Sequence, residues 1–159
     1  MQIYVLDKDP NKSAKMLNDK LVRKMLVEQM QLLSTYLRTL GTDKAYFYKS
    51  IPQGKELVKW ISNNLTWNMY YLDALMMQVI SRNKNWREYK SILTANRFIE
   101  DFHEPFLNFY IPTIKDVSFR CKKEYSKYDE LNKKLLPIEQ GIKEYNEYYQ
   151  WNIKQFKRQ

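Results

Sequence analysis

Apolar positions recur along most of this chain at steps of three and four, the period of a helix with one buried face. The clearest run covers 19–40. There Val22, Met25, Leu26, Gln29, Leu32, Leu33, Tyr36, Leu37 and Leu40 mark one stripe, and Gly41 follows as a helix stop. A second stripe joins Leu57, Ile61, Leu65, Met69, Leu72, Leu75, Met76 and Val79. It is long for one helix, and Ser62–Asn64 predicts a break. Trp60, Asn64, Trp67 and Tyr71 run beside it. Trp86 to about Glu100 predicts a further helix with Trp86, Tyr89, Leu93, Phe98 and Ile99 inward. Pro137 opens a last helix over 138–157, with Ile142, Tyr145, Tyr149, Ile153 and Phe156 on the buried edge. Residues 117–135 show no clear period, and Pro105 and Pro112 make the preceding stretch irregular. At the start, Gln2–Leu6 alternates as a short strand or an extended arm does. Asp9 then suits an N-cap and Pro10 a first helical position, opening a short helix to about Asn18. The pattern predicts an all-α chain, or α with one short N-terminal strand, forming a single domain over 1–159 with five to seven helices.

Composition narrows this. The chain has 159 residues, enough to bury ~68–70% of its unfolded surface without a disulfide or metal staple. Only three glycines occur, Gly41, Gly54 and Gly141, which excludes glycine-rich phosphate cradles and disfavours an all-β fold. A small-nucleotide enzyme is disfavoured for the same reason, and by the lack of acidic clusters for Mg²⁺. Cys121 is the only cysteine, so cysteine-based zinc modules are excluded, and no metal or other cofactor is expected. A lone thiol, no signal peptide and no membrane span predict a cytoplasmic protein. The net charge is +9 and lies evenly along the chain, +4 over 1–80 and +5 over 81–159. A polyanion, first of all DNA, is the partner such a charge suggests. Lysine outnumbers arginine 20 to 7 and alanine is scarce, a bias that an AT-rich genome alone also produces.

Four groups of residues carry candidate chemistry. Lys20, Lys24 and Glu28 stand four apart on the polar side of the 19–40 helix, with Asp19 and Arg23 beside them. An amine near a carboxylate can attack an electrophilic carbon while the carboxylate handles the proton. The plain alternative is a solvated face with a Lys–Glu pair. Trp60, Trp67 and Tyr71, with Lys49, Lys55 and Lys59 nearby in sequence, either stack bases and hold phosphates or form helix core. Glu100, Asp101, His103 and Glu104 gather around the only histidine, as a weak metal or acid–base candidate or as ordinary surface. A Cys121–His103 nucleophile pair has no supporting motif. Tyr145, Tyr148, Tyr149 and Trp151 near the end read as a docked amphipathic helix or as a DNA-contacting aromatic end.

The opening run IYVLDKDPNKSAKMLNDKLVRKMLVEQMQLLST resembles a group of small bacteriophage-encoded proteins. The blocks IPQGKELVKWISNNLTW and GIKEYNEYYQWNIKQF fit the same group, and together the three cover less than half the chain. Some members look distantly like the basic, all-helical pyrimidine-dimer DNA glycosylases of the phage endonuclease V type. By that resemblance the helix bearing Arg23 and Glu28 is an active-site helix, its arginine and glutamate gripping DNA and driving base excision. The chain departs from the pattern at Leu17, Leu21 and Ile51, where the group has histidines. It departs also at Gln2, which holds the position whose α-amine is the nucleophile in those glycosylases.

The leading expectation is a cytoplasmic, phage-type, DNA-associated protein acting as a DNA glycosylase/AP lyase on damaged or modified bases. Lys20 or Lys24 would be the amine and Glu28 the acid–base. Arg23, Lys49 and Lys59 would contact DNA, and Trp60 or Trp67 would form the stacking wall. The alternative is a non-enzymatic phage protein that binds a host protein or defence complex through exposed Tyr and Lys.

Overall fold

A computed structural model describes residues 1–102 and 112–157. Ile3, Tyr4, Val5 and Leu6 are buried, yet among the described residues no strand pairs with them. Side chains do the work of a neighbouring strand. Ser13 Oγ accepts from Leu6 N (2.9 Å) and donates to Tyr4 O (2.9 Å). Tyr71 Oη also donates to Tyr4 O (3.2 Å), and Asn146 Nδ2 donates to Leu6 O (3.0 Å). Buried backbone polar groups must be satisfied, and here three helices supply the partners. The segment is thus the extended arm of the two sequence readings, not the strand.

α1 (Pro10–Lys15) begins at Asp9, whose carboxylate caps Asn11 N at 2.8 Å. α2 (Asp19–Thr39) begins at Asn18, whose side chain accepts from Leu21 N (2.8 Å). It ends as the sequence predicts. Gly41 has φ +84°, its N–H bonds Arg38 O and Thr42 N bonds Leu37 O, a Schellman stop that a side chain at 41 would strain. α3 (Lys55–Asn63) and α4 (Leu65–Arg82) are the two halves of the long stripe. Asn64 makes the break. Its amide donates to Trp60 O (3.0 Å) and accepts from Lys115 N (2.7 Å), satisfying a backbone group in the last turn of α3 and one in the segment before β1. Gln29, set in the apolar stripe of α2, is buried against α4 and donates to Asn68 Oδ1 at 2.9 Å.

α5 (Lys90–Asp101) departs from its expected phase. A single 3₁₀ turn, Trp86–Glu88, and an extended Tyr89 precede it, so the helix starts four residues late. Ile92, Ala95 and Phe98 face the core, while Leu93, expected inward, is 59% exposed. The aperiodic 117–135 stretch and the residue after it hold a small antiparallel hairpin, β1 (Val117–Phe119) with β2 (Lys134–Leu136), registered Val117 to Leu136. The short α6 (Tyr128–Leu131) lies between the strands. Lys133 closes the turn with φ 66°, its N–H on Phe119 O at 2.8 Å. α7 (Ile138–Lys157) packs on the hairpin.

The fold is a mostly helical, compact single domain with one small hairpin. Among the described residues no helix is long and apolar enough to cross a membrane. Much of the core is aromatic. Tyr4 lies among Tyr145, Tyr148 and Tyr149, with ring centroids 5.7, 6.0 and 5.6 Å away. Their hydroxyls find partners, as buried phenols require: Tyr145 donates to Ser118 O (2.7 Å), and Tyr149 accepts from Asn18 N (2.8 Å). Burial pushes the phenol of Tyr4 far up and that of Tyr148 to about 12, so all stay neutral. Of the two readings of the C-terminal aromatics, this is the docked helix. Tyr148 joins Tyr145 and Tyr149 inside, one more than the sequence pattern marked.

Candidate functional site

The polar face of α2 is positioned by contacts at the N-terminal end of the helix. Tyr149 of α7 accepts from Asn18 N, and Arg82 of α4 donates to Leu17 O (2.7 Å) and Lys15 O (3.0 Å). Arg82 also pairs with Asp19 at 3.1 Å. That carboxylate is therefore engaged with Arg82 rather than with the lysines beside it.

Lys20, Arg23 and Lys24 are exposed and line one open groove of about 570 Å³. Asp19, Val27, Asn83 and Ser91 complete it. Steps of three and four on one helix bring the three cations together. The opposite wall comes from the end of α4 and the start of α5, which no local pattern foretells. Two rings attend the cations. The Arg23 guanidinium lies over Tyr89, 4.3 Å from the ring centre, and the Lys20 ammonium over Phe156 at 4.5 Å. Lys122, from the segment after β1, reaches the same Phe156 ring at 5.2 Å. Sequence reading assigned Tyr89 and Phe156 to the interior and gave Lys122 no role. Both rings are half-buried and pack against the core with part of their surface left open. The only local signal was Phe156 set between basic residues.

Glu28, one turn beyond Lys24, is half-buried. Its Oε2 is out of solvent and has no hydrogen-bond partner. Burial raises its proton affinity above the usual carboxylate range, while Lys24 and, after it, the Met1 amine pull the other way. Tyr71 of α4 feels the Glu28 charge. The carboxyl therefore holds a proton more tightly than an exposed glutamate does, and Glu28 is not among the residues that line the groove. Because its folded pKa is raised, the folded state binds the proton more tightly than the unfolded chain. Stability is then highest below the ordinary carboxylate pKa and falls as pH rises through the window up to the raised value. Glu28→Gln is expected to remove that fall and to be the more stable protein at neutral pH. Thermal melts from pH 4 to 8 measure it, with some slope left over from Asp73, whose carboxyl burial also raises.

The other expected contacts lie apart. Trp60 is 3% exposed and donates to Asp116 O (3.1 Å). Trp67 is fully buried, donates to Lys8 O (2.8 Å) and stacks on Tyr71 with centroids 4.9 Å apart. Trp67 offers no face to a base, and Trp60 borders a groove with Lys59 through only that 3% of its surface, so of the two readings of that stripe the structure has the core. Lys59 also lines a groove with Thr35, Tyr36 and Ser50. Lys49 is next to Ser50, which Arg38 ties to the C-terminal end of α2. From Lys20 to Tyr36 is about 24 Å along the helix axis at 1.5 Å per residue, so these lysines do not join the first three. Leu17 and Leu21 are buried core residues, and neither lines the groove.

His103 and Glu104 lie outside the described residues. Asp101 accepts from Tyr46 Oη (2.5 Å) and Glu100 from Asn96 (3.0 Å). No group of three His, Cys, Asp or Glu among the described residues could hold a metal ion. Burial pushes the Cys121 thiol up to about 11, the opposite of an activated nucleophile. No protein-family model, curated protein or solved structure matches this chain.

Proposed function

We propose that this is a phage-type, DNA-associated protein that binds along the first half of α2 and excises a damaged or modified base there, as a DNA glycosylase/AP lyase. The observation that carries the reading is the convergence of Lys20, Arg23 and Lys24 in one groove. Glu28, a carboxyl raised by burial, stands one turn further on. Cations at that spacing neutralise successive phosphates and release counterions. In the chemistry, the amine of Lys20 or Lys24, after giving one proton to water, attacks the sugar C1′. The bond from C1′ to the base breaks, and Glu28 gives its proton to the departing base. The C1′–N bond then becomes an imine as the ring oxygen leaves and takes up a proton. Loss of a C2′ proton next eliminates the 3′ phosphate.

Two measurements test this. The affinity for an abasic-site duplex should fall steeply with salt. Replacing Lys20, Arg23 and Lys24 by alanine should flatten the log–log slope by about 2–3 units, close to one per phosphate contact. Borohydride should trap a covalent adduct with abasic DNA, lost in whichever of Lys20→Ala or Lys24→Ala removes the amine. Binding without a trapped adduct sinks the lyase step. A flat slope, or no binding, sinks the DNA reading and leaves a host protein or defence complex as the partner.

A further inference from the structure

We infer that the groove takes an unpaired DNA strand, its phosphates on Lys20, Arg23, Lys24 and Lys122 and its bases against Tyr89 and Phe156. The inference rests on the DNA reading above and adds the substrate class. Three observations converge on it. The charged strip does not end with α2, because Lys20 and Lys122 share the Phe156 ring, at 4.5 and 5.2 Å, and so continue it onto the segment after β1. Each of the two half-buried rings at this strip lies beneath a cation that belongs to it. And the Trp60–Trp67 pair, the other aromatic candidate, is inside the core.

A cation resting on a half-exposed ring is weakly held, whereas its charge-assisted bond to a phosphate is strong. An arriving phosphate therefore draws Lys20 or Arg23 off its ring and uncovers an apolar face at the moment a strand is present. A base stacks on that face, and the guanidinium of Arg23 offers a second plane. In a duplex the base faces are buried in the stack, and the same rings would have nothing to meet. The alternation of cation and ring is the arrangement that single-strand binding uses, with affinity shared between phosphate contacts and stacking.

The test is fluorescence anisotropy with a labelled fifteen-nucleotide oligo(dT) and with a duplex of the same length, at several salt concentrations. The single strand is expected to bind more tightly. Phe156→Leu and Tyr89→Leu, which keep apolar volume, should weaken strand binding by about 5- to 100-fold each with an unchanged salt slope. Lys122→Ala should instead flatten the slope by about one unit. Thermal melts check that each variant is folded. A 5-iodouracil oligonucleotide photo-crosslinked to the unaltered protein gives an independent readout, with adducts expected at Tyr89 or Phe156. Equal affinity for strand and duplex, ring variants without effect, or crosslinks only elsewhere overturn the inference. If the Lys20, Arg23 and Lys24 variants still flatten the duplex slope in that case, the DNA reading stands without it. Binding of neither probe overturns both.

Discussion

Gly141→Ala is expected to destabilise the fold by about 1–3 kcal/mol, a fall in Tm of roughly 3–10 °C for a domain of this size. Helix propensity alone predicts the opposite sign, since alanine is better than glycine inside a helix by about 1 kcal/mol. Packing decides. Gly141 is in the first turns of α7, where the helix crosses β1. A Cβ there would overlap Val117 Cβ and lie 2.7 and 2.9 Å from its two methyl carbons. Those atoms are branched at the backbone and cannot swing away, so either α7 or the hairpin must shift. A shift of α7 would also disturb the tyrosines that hold the N-terminal arm. The measurement is chemical or thermal unfolding of the single variant and of the same change in a Val117→Gly background. There the clash is gone, and Gly141→Ala should cost less or even stabilise. A single variant as stable as its parent would mean that helix and hairpin are not this close.

Trp67→Ala should cost more, about 3–5 kcal/mol, a large part of the roughly 5–15 kcal/mol that holds a domain folded. The indole is fully buried between Trp60 and Tyr71, and its N–H satisfies Lys8 O. Truncation leaves a cavity and an unpaired carbonyl together. Trp67→Phe keeps one aromatic ring and loses the five-membered ring with its N–H, a smaller loss than alanine, so it should remain folded with a lower Tm. Its DNA affinity and salt slope should equal the parent's, because the side chain touches no solvent. Reduced DNA binding at an unchanged Tm would show instead that the indole meets the ligand, and the core assignment would fail.

These two predictions mark where sequence reading stopped. Periodicity sets Trp60, Trp67 and Tyr71 in one stripe, which the break at Asn64 divides between α3 and α4, but a stripe has no inside or outside until another element covers it. Here the N-terminal arm and the segment around Asp116 do so. Leu93 went the other way, because one 3₁₀ turn before α5 rotated the helix by an amount that composition does not encode. The hairpin was unreadable for a different reason. Its strands are three residues each, too short to show a period, and its turn depends on Lys133 at positive φ, where glycine is the usual marker.

What the sequence determined by itself is local. The cap at Asp9, the stop at Gly41, the opening of the last helix after Pro137 and the Lys20–Arg23–Lys24 ladder all follow from neighbours within about one turn. Glycine scarcity likewise argues against an all-β fold. Tertiary structure decided everything that joins distant residues. It set Tyr89, Lys122 and Phe156 beside a ladder from α2, separated Lys49 and Lys59 from it, and buried Glu28 enough to raise its carboxyl. The physical reason is one of range. Backbone hydrogen bonding and side-chain spacing act over a few residues, whereas burial and desolvation depend on which remote surfaces come to cover a residue.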